Sequence, residues 1–194
     1  LIHSSTCPHT DETVSRLDAV LERLTPGAIV RKRDMESSTL GETWRHLGSP
    51  TILVDGRDLE GRSAHPRIEG CRSYGGAYIP STWMIEAAIL RAAQPRTLLF
   101  MCLANSARSQ MAEGLARWLA PPSVSIHSAG SLPSSVNPLA VEAMAEIGID
   151  ISSHISKSIE HIPTPVDALV TLCAEESCPT IPGLRMQIHW PVPD

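Results

Sequence analysis

Residues 98–109 read Leu98-Leu99-Phe100-Met101-Cys102-Leu103-Ala104-Asn105-Ser106-Ala107-Arg108-Ser109. The apolar run predicts a strand, Thr97 to Met101, that delivers Cys102 to a turn. An amphipathic helix is expected from about Gln110, with Met111, Leu115 and Trp118 on its apolar side. A Cys-x5-Arg between a strand and a helix builds a cradle for a tetrahedral oxyanion. The amides of Leu103, Ala104, Asn105, Ser106, Ala107, Arg108 and Ser109 and the helix N-terminus supply donors. The Arg108 guanidinium can hold two oxygens at once. The same positive field favours an ionised Cys102 sulfur, and Ser109 is placed to donate a hydrogen bond to it. The bland alternative is a buried cysteine at a strand end beside a surface arginine. The strand and helix on either side favour the cradle, and with it chemistry on phosphate or an analogue such as arsenate.

Outward from this loop the second half alternates strands and helices. The helix from Gln110 ends at Pro121-Pro122, and a strand is expected over Val124 to Ser128. Asn137-Pro138 opens a further helix that Gly148 closes. Strands Ala168 to Leu172 and Met186 to Trp190 complete a predicted parallel sheet. Cys102 and Cys173 then stand at strand C-terminal ends, where such sheets bind ligands.

A boundary is expected near Ala92 to Arg96, dividing the chain into residues 1–94 and 95–194. The first half reads as strand Leu1 to Ser4, then Cys7-Pro8-His9-Thr10. A helix carrying Val14, Leu17, Val20, Leu21 and Leu24 follows, then strand Ala28 to Lys32. A helix over Ser38 to Leu47 leads to strand Ile52 to Val54. Arg57 to Ala77 reads mostly as loop, and helix Ser81 to Ala92, with Trp83, Ile85, Ala88 and Ile89, closes the unit. This is an α/β order.

The 194 residues carry a net charge of -5, which argues against nucleic acid as the main partner. The apolar runs are too short for a membrane span. No signal-peptide pattern opens the chain, and Leu1 in place of a start methionine leads us to expect that a few residues precede it. Five cysteines suit redox-active thiols in the cytoplasm better than a secreted disulfide framework.

Cys102, Cys173 and Cys178 suggest more than ester cleavage. A Cys102 adduct of arsenate is open to Cys173, and Cys178 can then take over the disulfide by thiol–disulfide exchange. Glu175 and Glu176 in the intervening loop would slow Cys173 by disfavouring its thiolate. A buried core thiol is the alternative reading of Cys173. A zinc site at Cys-x4-Cys would need two more ligands, with only His189 near, so neither metal nor cofactor is expected.

Residues 97–194 resemble the arsenate reductases built on the low-molecular-weight protein tyrosine phosphatase fold. The matching stretches are Cys102 to Glu113, Ser128-Ala-Gly130, Gly148 to Ser152, Leu172-Cys173, Cys178-Pro179 and His189-Trp190. The resemblance implies Cys102 as nucleophile, Arg108 as oxyanion binder and Cys173 with Cys178 as the redox pair. It also implies a general-acid aspartate that falls on Asp194. Some relatives bind potassium with side chains matching Asn105, Glu113 and Ser128 plus an acidic residue. Lys157 stands at that last position here, so potassium is not expected.

The first half resembles the thioredoxin-like fold, through Cys7-Pro8-His9 at a strand-to-helix turn and Ser49-Pro50-Thr51 before a strand. The family's second cysteine would fall on position 10, which is Thr10. Cys7 therefore works alone, pairs with Cys71, or belongs to a domain that is only structural.

The expectation is a two-domain arsenate reductase, whose first domain is a candidate to regenerate the second. An external thioredoxin, a glutaredoxin-like protein or a low-molecular-weight thiol is the other candidate donor. The alternatives are a phosphatase acting on phosphate monoesters and a non-catalytic arsenic or redox sensor.

Overall fold

The structure is a computed structural model that describes residues 1–61, 68, 70–173 and 181–193. It divides into two compact units, Leu1–Ala93 and Gln94–Asp194.

In the first unit β1 (Ile2–His3) pairs in parallel with β2 (Arg33–Asp34). Between them α1 (Thr10–Leu24) buries Thr13, Leu17, Val20 and Leu24, one stripe at helical spacing. The strand expected at Ala28 to Lys32 is displaced to Arg33–Asp34. Arg33 N–H donates to Leu1 O and Met35 N–H to His3 O, both at 2.8 Å, while Ile29 of the apolar run is left exposed. The helix expected over Ser38 to Leu47 is one turn, α2 (Glu42–Arg45). β3 (Leu53–Val54) and β4 (Arg57–Asp58) form an antiparallel hairpin inside a stretch read partly as loop. Asp55 and Gly56 turn it with φ of 48° and 77°. Then α3 (Thr82–Ala93) buries Ile85, Ala88, Ile89 and Leu90 but leaves Trp83 exposed, against expectation.

A charged cluster lies at the heart of this unit. Arg72 is fully buried and donates to both carboxylate oxygens of Asp58, to Glu60 Oε2 at 2.8 Å and to Thr51 Oγ1 at 3.0 Å. Its guanidinium carbon sits 4.4 Å from the centre of the Tyr74 ring. Burial pushes the Tyr74 hydroxyl up to about 12, and it donates to Pro50 O at 2.8 Å, across the cis Ser49–Pro50 peptide. Removing one partner of a buried ion pair strands the other charge. Asp58→Ala is therefore expected to cost this unit about 3–5 kcal/mol. Removing the exposed Arg16–Glu12 pair by Glu12→Ala should cost less than about 1 kcal/mol. Hydrogen exchange of the Leu1–Ala93 amides in the full chain compares the two.

The second unit holds one parallel sheet in the order β6-β5-β7-β8. Its strands are β5 (Thr97–Cys102), β6 (Ser125–Gly130), β7 (Ala168–Thr171) and β8 (Met186–His189). Asp167 fixes the start of β5 by accepting from Arg96 N–H at 2.8 Å and Thr97 N–H at 3.1 Å. Those amides hold its carboxyl below the usual carboxylate range. Leu99 and Met101 face a core with Ala129, Ile162, Val166 and Leu169. After β5 comes α4 (Arg108–Leu119), and after β6 comes α5 (Pro138–Glu146). Asn137 caps α5 by accepting from Leu139 N–H at 2.9 Å. Ala140 and Met144 of α5 pack with Ile149 and Ile151. The chain leaves β5 to β6 on one side and returns to β7 on the other. The C-terminal ends of β5 and β7 thus flank the point where the strand order reverses, which is where open parallel sheets leave a crevice.

The helix after the loop departs from expectation. Its buried residues are Ser109, Gln110, Glu113 and Gly114, while Leu115 and Trp118 are exposed. Where it meets the loop and the end of β6 its inward face is polar, while Met111 packs, as expected, against the apolar cluster of Ala140, Met144, Ile149 and Ile151.

Candidate active site

Cys102 ends β5, buried, with Gly130 of β6 opposite it in register. The following loop is held from outside. Leu103 O accepts from Leu132 N–H at 2.9 Å, and Ala104 O from Ser134 N–H at 3.1 Å and Ser156 Oγ at 2.9 Å. Asn105 O accepts from Gln110 Nε2 at 3.0 Å, and Ser106 O from Asn137 N–H at 2.9 Å. In a trans peptide the C=O of one residue and the N–H of the next point in opposite directions. Four carbonyls engaged on the outside therefore turn the N–H groups of Ala104, Asn105, Ser106 and Ala107 to the opposite side of the loop. The N-terminus of α4 adds its first-turn amides there, since Ala107 at the cap gives no side-chain hydrogen bond.

Asn105 locks this turn. Its φ of 46° lies in the left-handed region that asparagine tolerates better than most residues. Its side chain is fully buried with every donor and acceptor engaged. Oδ1 accepts from Gln110 Nε2 at 3.0 Å and from Lys157 N–H at 2.8 Å. Nδ2 donates to Ser109 Oγ at 2.9 Å and to Ser128 Oγ at 2.8 Å.

These donations set the direction of the remaining hydrogens. Ser109 Oγ already accepts from Asn105, so its own proton is free for Cys102 Sγ, 3.0 Å away. The hydroxyl is thereby aimed to stabilise a thiolate. In the same way Ser128 accepts from Asn105 and donates to Glu113 Oε2. Glu113 is buried, with Arg117 Nη2 2.5 Å from Oε1 and Lys157 Nζ 3.5 Å from Oε2. Asn105, Glu113 and Ser128 do converge, but two cationic side chains already meet the one carboxylate. That charge balance does not fit a further monovalent cation.

Of the remaining site residues expected from the sequence, Arg108 opens α4. Its Nη1 lies 3.0 Å from Val192 O and 3.5 Å from Leu172 O. Cys173 follows β7 and is half-buried. Met101 pairs with Thr171 and accepts from Leu172 N–H at 2.8 Å, so Cys173 stands one residue beyond the level of Cys102 on the neighbouring strand. Cys178, Glu175, Glu176 and Asp194 lie outside the described residues. In the first unit Cys7 and Cys71 both lie against Ser49. Cys7 Sγ donates to Ser49 O at 3.5 Å, and Cys71 bridges Ser49.

Sequence reasoning missed three supports of the loop: Gln110, whose amide links both Asn105 oxygens, His154, whose Nδ1 sits 2.9 Å from Gln110 Oε1, and Ser156. Only Gln110 adjoins the motif; the other two approach from far along the chain.

Residues 97–188 match the family model of the low molecular weight phosphotyrosine protein phosphatases. The chain is similar to the arsenate reductase of Staphylococcus xylosus, 44% identical over 102 residues, 51% of this chain and 78% of that protein. It is 46% identical to arsenate reductase 2 of Staphylococcus saprophyticus over 98 residues, 49% of this chain and 75% of that protein. Among solved structures, an arsenate reductase in the phosphate binding state is 34% identical, with a TM-score of 0.46 over 51% of this chain and 78% of the other.

Proposed function

From residue 97 onward the chain belongs to the arsenate reductases built on the low molecular weight phosphotyrosine protein phosphatase fold, and on that premise we propose how its own residues reduce arsenate to arsenite. The Cys102 thiolate attacks arsenic. Arg108 and the loop amides hold the arsenate oxygens, and Asp194 protonates the oxygen that leaves as water. Cys173 then attacks Cys102 Sγ. The sulfur–arsenic bond breaks, its electron pair stays on arsenic, and arsenite departs from a Cys102–Cys173 disulfide. Cys178 attacks Cys173 Sγ and frees Cys102, leaving Cys173–Cys178. Two external thiols reset the enzyme, so that arsenate and two thiols become arsenite, one disulfide and water.

The observation that carries this reading is the directed hydrogen bond from Ser109 to Cys102. Hydrolysis of a phosphate monoester would use the same nucleophile and cradle but needs no second thiol, and Cys173 beside the strand that bears Cys102 favours reduction. Cys173→Ser is expected to lower the ratio of arsenite release to aryl phosphate hydrolysis by about 10²-fold or more. Arsenite release at the unaltered rate in that variant sinks the relay.

The first unit is read as thioredoxin-like, supported by its parallel β1–β2 pair around α1 and by the contact of Cys7 with Ser49. A thioredoxin, a glutaredoxin-like protein or a small thiol fits as the outside donor. A cytoplasmic setting suits redox-active thiols such as Cys7, Cys71 and Cys102. No helix among the described residues is long and apolar enough to cross a membrane.

A further inference from the structure

Two thiols of the first unit remain without a part in the chemistry above. Cys7 and Cys71 are 64 positions apart in the chain, yet both are held against one peptide. Ser49 O accepts from Cys7 Sγ at 3.5 Å and from the N–H of Arg72, the residue after Cys71, at 2.8 Å. Ser49 N–H in turn donates to Gly70 O at 3.2 Å, so Cys71 is bracketed by two backbone bonds to the same serine. Ser49 Oγ accepts from Ser4 N–H at 2.9 Å, which ties down the loop that carries Cys7. Behind Cys71, Arg72 is anchored in the buried cluster with Asp58, Glu60 and Tyr74. Both sulfurs are within reach of solvent: Cys71 is exposed and Cys7 half-buried.

We propose that Cys7 and Cys71 are a two-electron dithiol–disulfide couple that reduces the disulfide left by arsenate reduction. Its substrate rests on the reading of the second unit given above; the couple itself does not.

The two sulfurs have different parts. Burial disfavours the Cys7 thiolate, but hydrogen bonds from Ser49, the His9 backbone, Thr10 and Cys71 outweigh it and bring that thiol below its ordinary value. Burial, the negative charge on Cys7 and the hydrogen bond it donates to Cys7 push Cys71 up. Cys7 is therefore the sulfur that attacks. Its thiolate adds to one sulfur of the substrate disulfide, forming a mixed disulfide and releasing the other sulfur as a thiolate that takes a proton from water. Cys71, giving up its own proton, then attacks Cys7 Sγ. The Cys7–Cys71 bond forms and the second substrate thiol leaves. Two electrons and two protons have passed from the pair to the substrate, and an external dithiol reverses the change on the pair.

Electron counting tests the proposal. The fully reduced chain is freed of reductant and given excess arsenate. Each arsenate consumes two electrons. The three cysteines of the second unit leave one disulfide, so alone they release one arsenite per chain. With the first unit recharging them the expected yield is two per chain, falling to one in Cys71→Ser. One per chain from the unaltered protein overturns the transfer while leaving arsenate reduction standing. No arsenite at all sinks the reading of the second unit instead. A second arm then judges the couple without arsenate, in the full chain with Cys102, Cys173 and Cys178 replaced by serine. With oxidised glutathione as probe, the expected product has lost two hydrogens, bears no glutathione and maps to a Cys7–Cys71 link. In Cys71→Ser the adduct on Cys7 should persist about 10²-fold longer. Equal adduct lifetimes, or a glutathione on each cysteine, overturn the couple.

Discussion

Cys102→Ser is expected to reduce arsenite release by at least about 10³-fold, a loss of about 4 kcal/mol of transition-state stabilisation. A hydroxyl is a far weaker nucleophile than a thiol in this setting, because among the described residues no base stands next to position 102 to ionise it. Among the described residues the sulfur's hydrogen-bond partner is Ser109, which is arranged to donate. The serine side chain also cannot form the disulfide on which release of arsenite depends. Assay of arsenite with a dithiol reductant checks the rate, and binding of arsenate to the same variant checks that the cradle survives. A loss of less than about tenfold would overturn the assignment of the nucleophile.

Gly130→Ala has the second large effect, for a reason that is steric throughout. Gly130 sits in ordinary extended strand opposite Cys102, and a Cβ there would lie 2.5 Å from Leu103 O and 2.7 Å from Asn105 N. Both neighbours are backbone of the cradle, and Leu103 O is itself tied to Leu132 N–H. The added methyl must drive the loop outward. Overpacking of this kind costs about 1–3 kcal/mol, and a displacement of about 1 Å at the reacting groups costs about 10²-fold in rate. Ser125→Ala, at the exposed start of the same strand, should stay within about 0.5 kcal/mol. Thermal unfolding and arsenite release measure the pair. Unimpaired turnover in Gly130→Ala would mean that the loop does not need this close approach to the strand.

The strand, loop and helix around Cys102 were legible because their signal is local. An apolar run, a polar turn and an amphipathic segment follow one another without a gap. The buried face of α4 was not. Helical periodicity assumes that apolar residues point inward, and here Gln110 and Glu113 do so because what they meet is loop backbone and a serine hydroxyl. Leu115 and Trp118, which fit the pattern, are turned outward. The first unit was harder for another reason. Its strands are two residues long, too short for alternation to register. The apolar Ala28-Ile29-Val30 then outweighed the true pairing at Arg33, which is set by the distant Leu1 and His3. Pairing of Cys7 with Cys71 was one of three readings the sequence left open, and no local signal could choose it, since it depends on two distant segments that meet at Ser49.

The segment from Leu132 to Asn137 separates what substitution can change from what it cannot. Its side chains at Leu132 and Ser134 face solvent, so their identity matters little to the cradle. What it supplies are three main-chain N–H groups, from residues 132, 134 and 137, which meet the carbonyls of Leu103, Ala104 and Ser106 in turn. Drift in composition there should be tolerated freely, whereas inserting or deleting a single residue would put every later donor out of step.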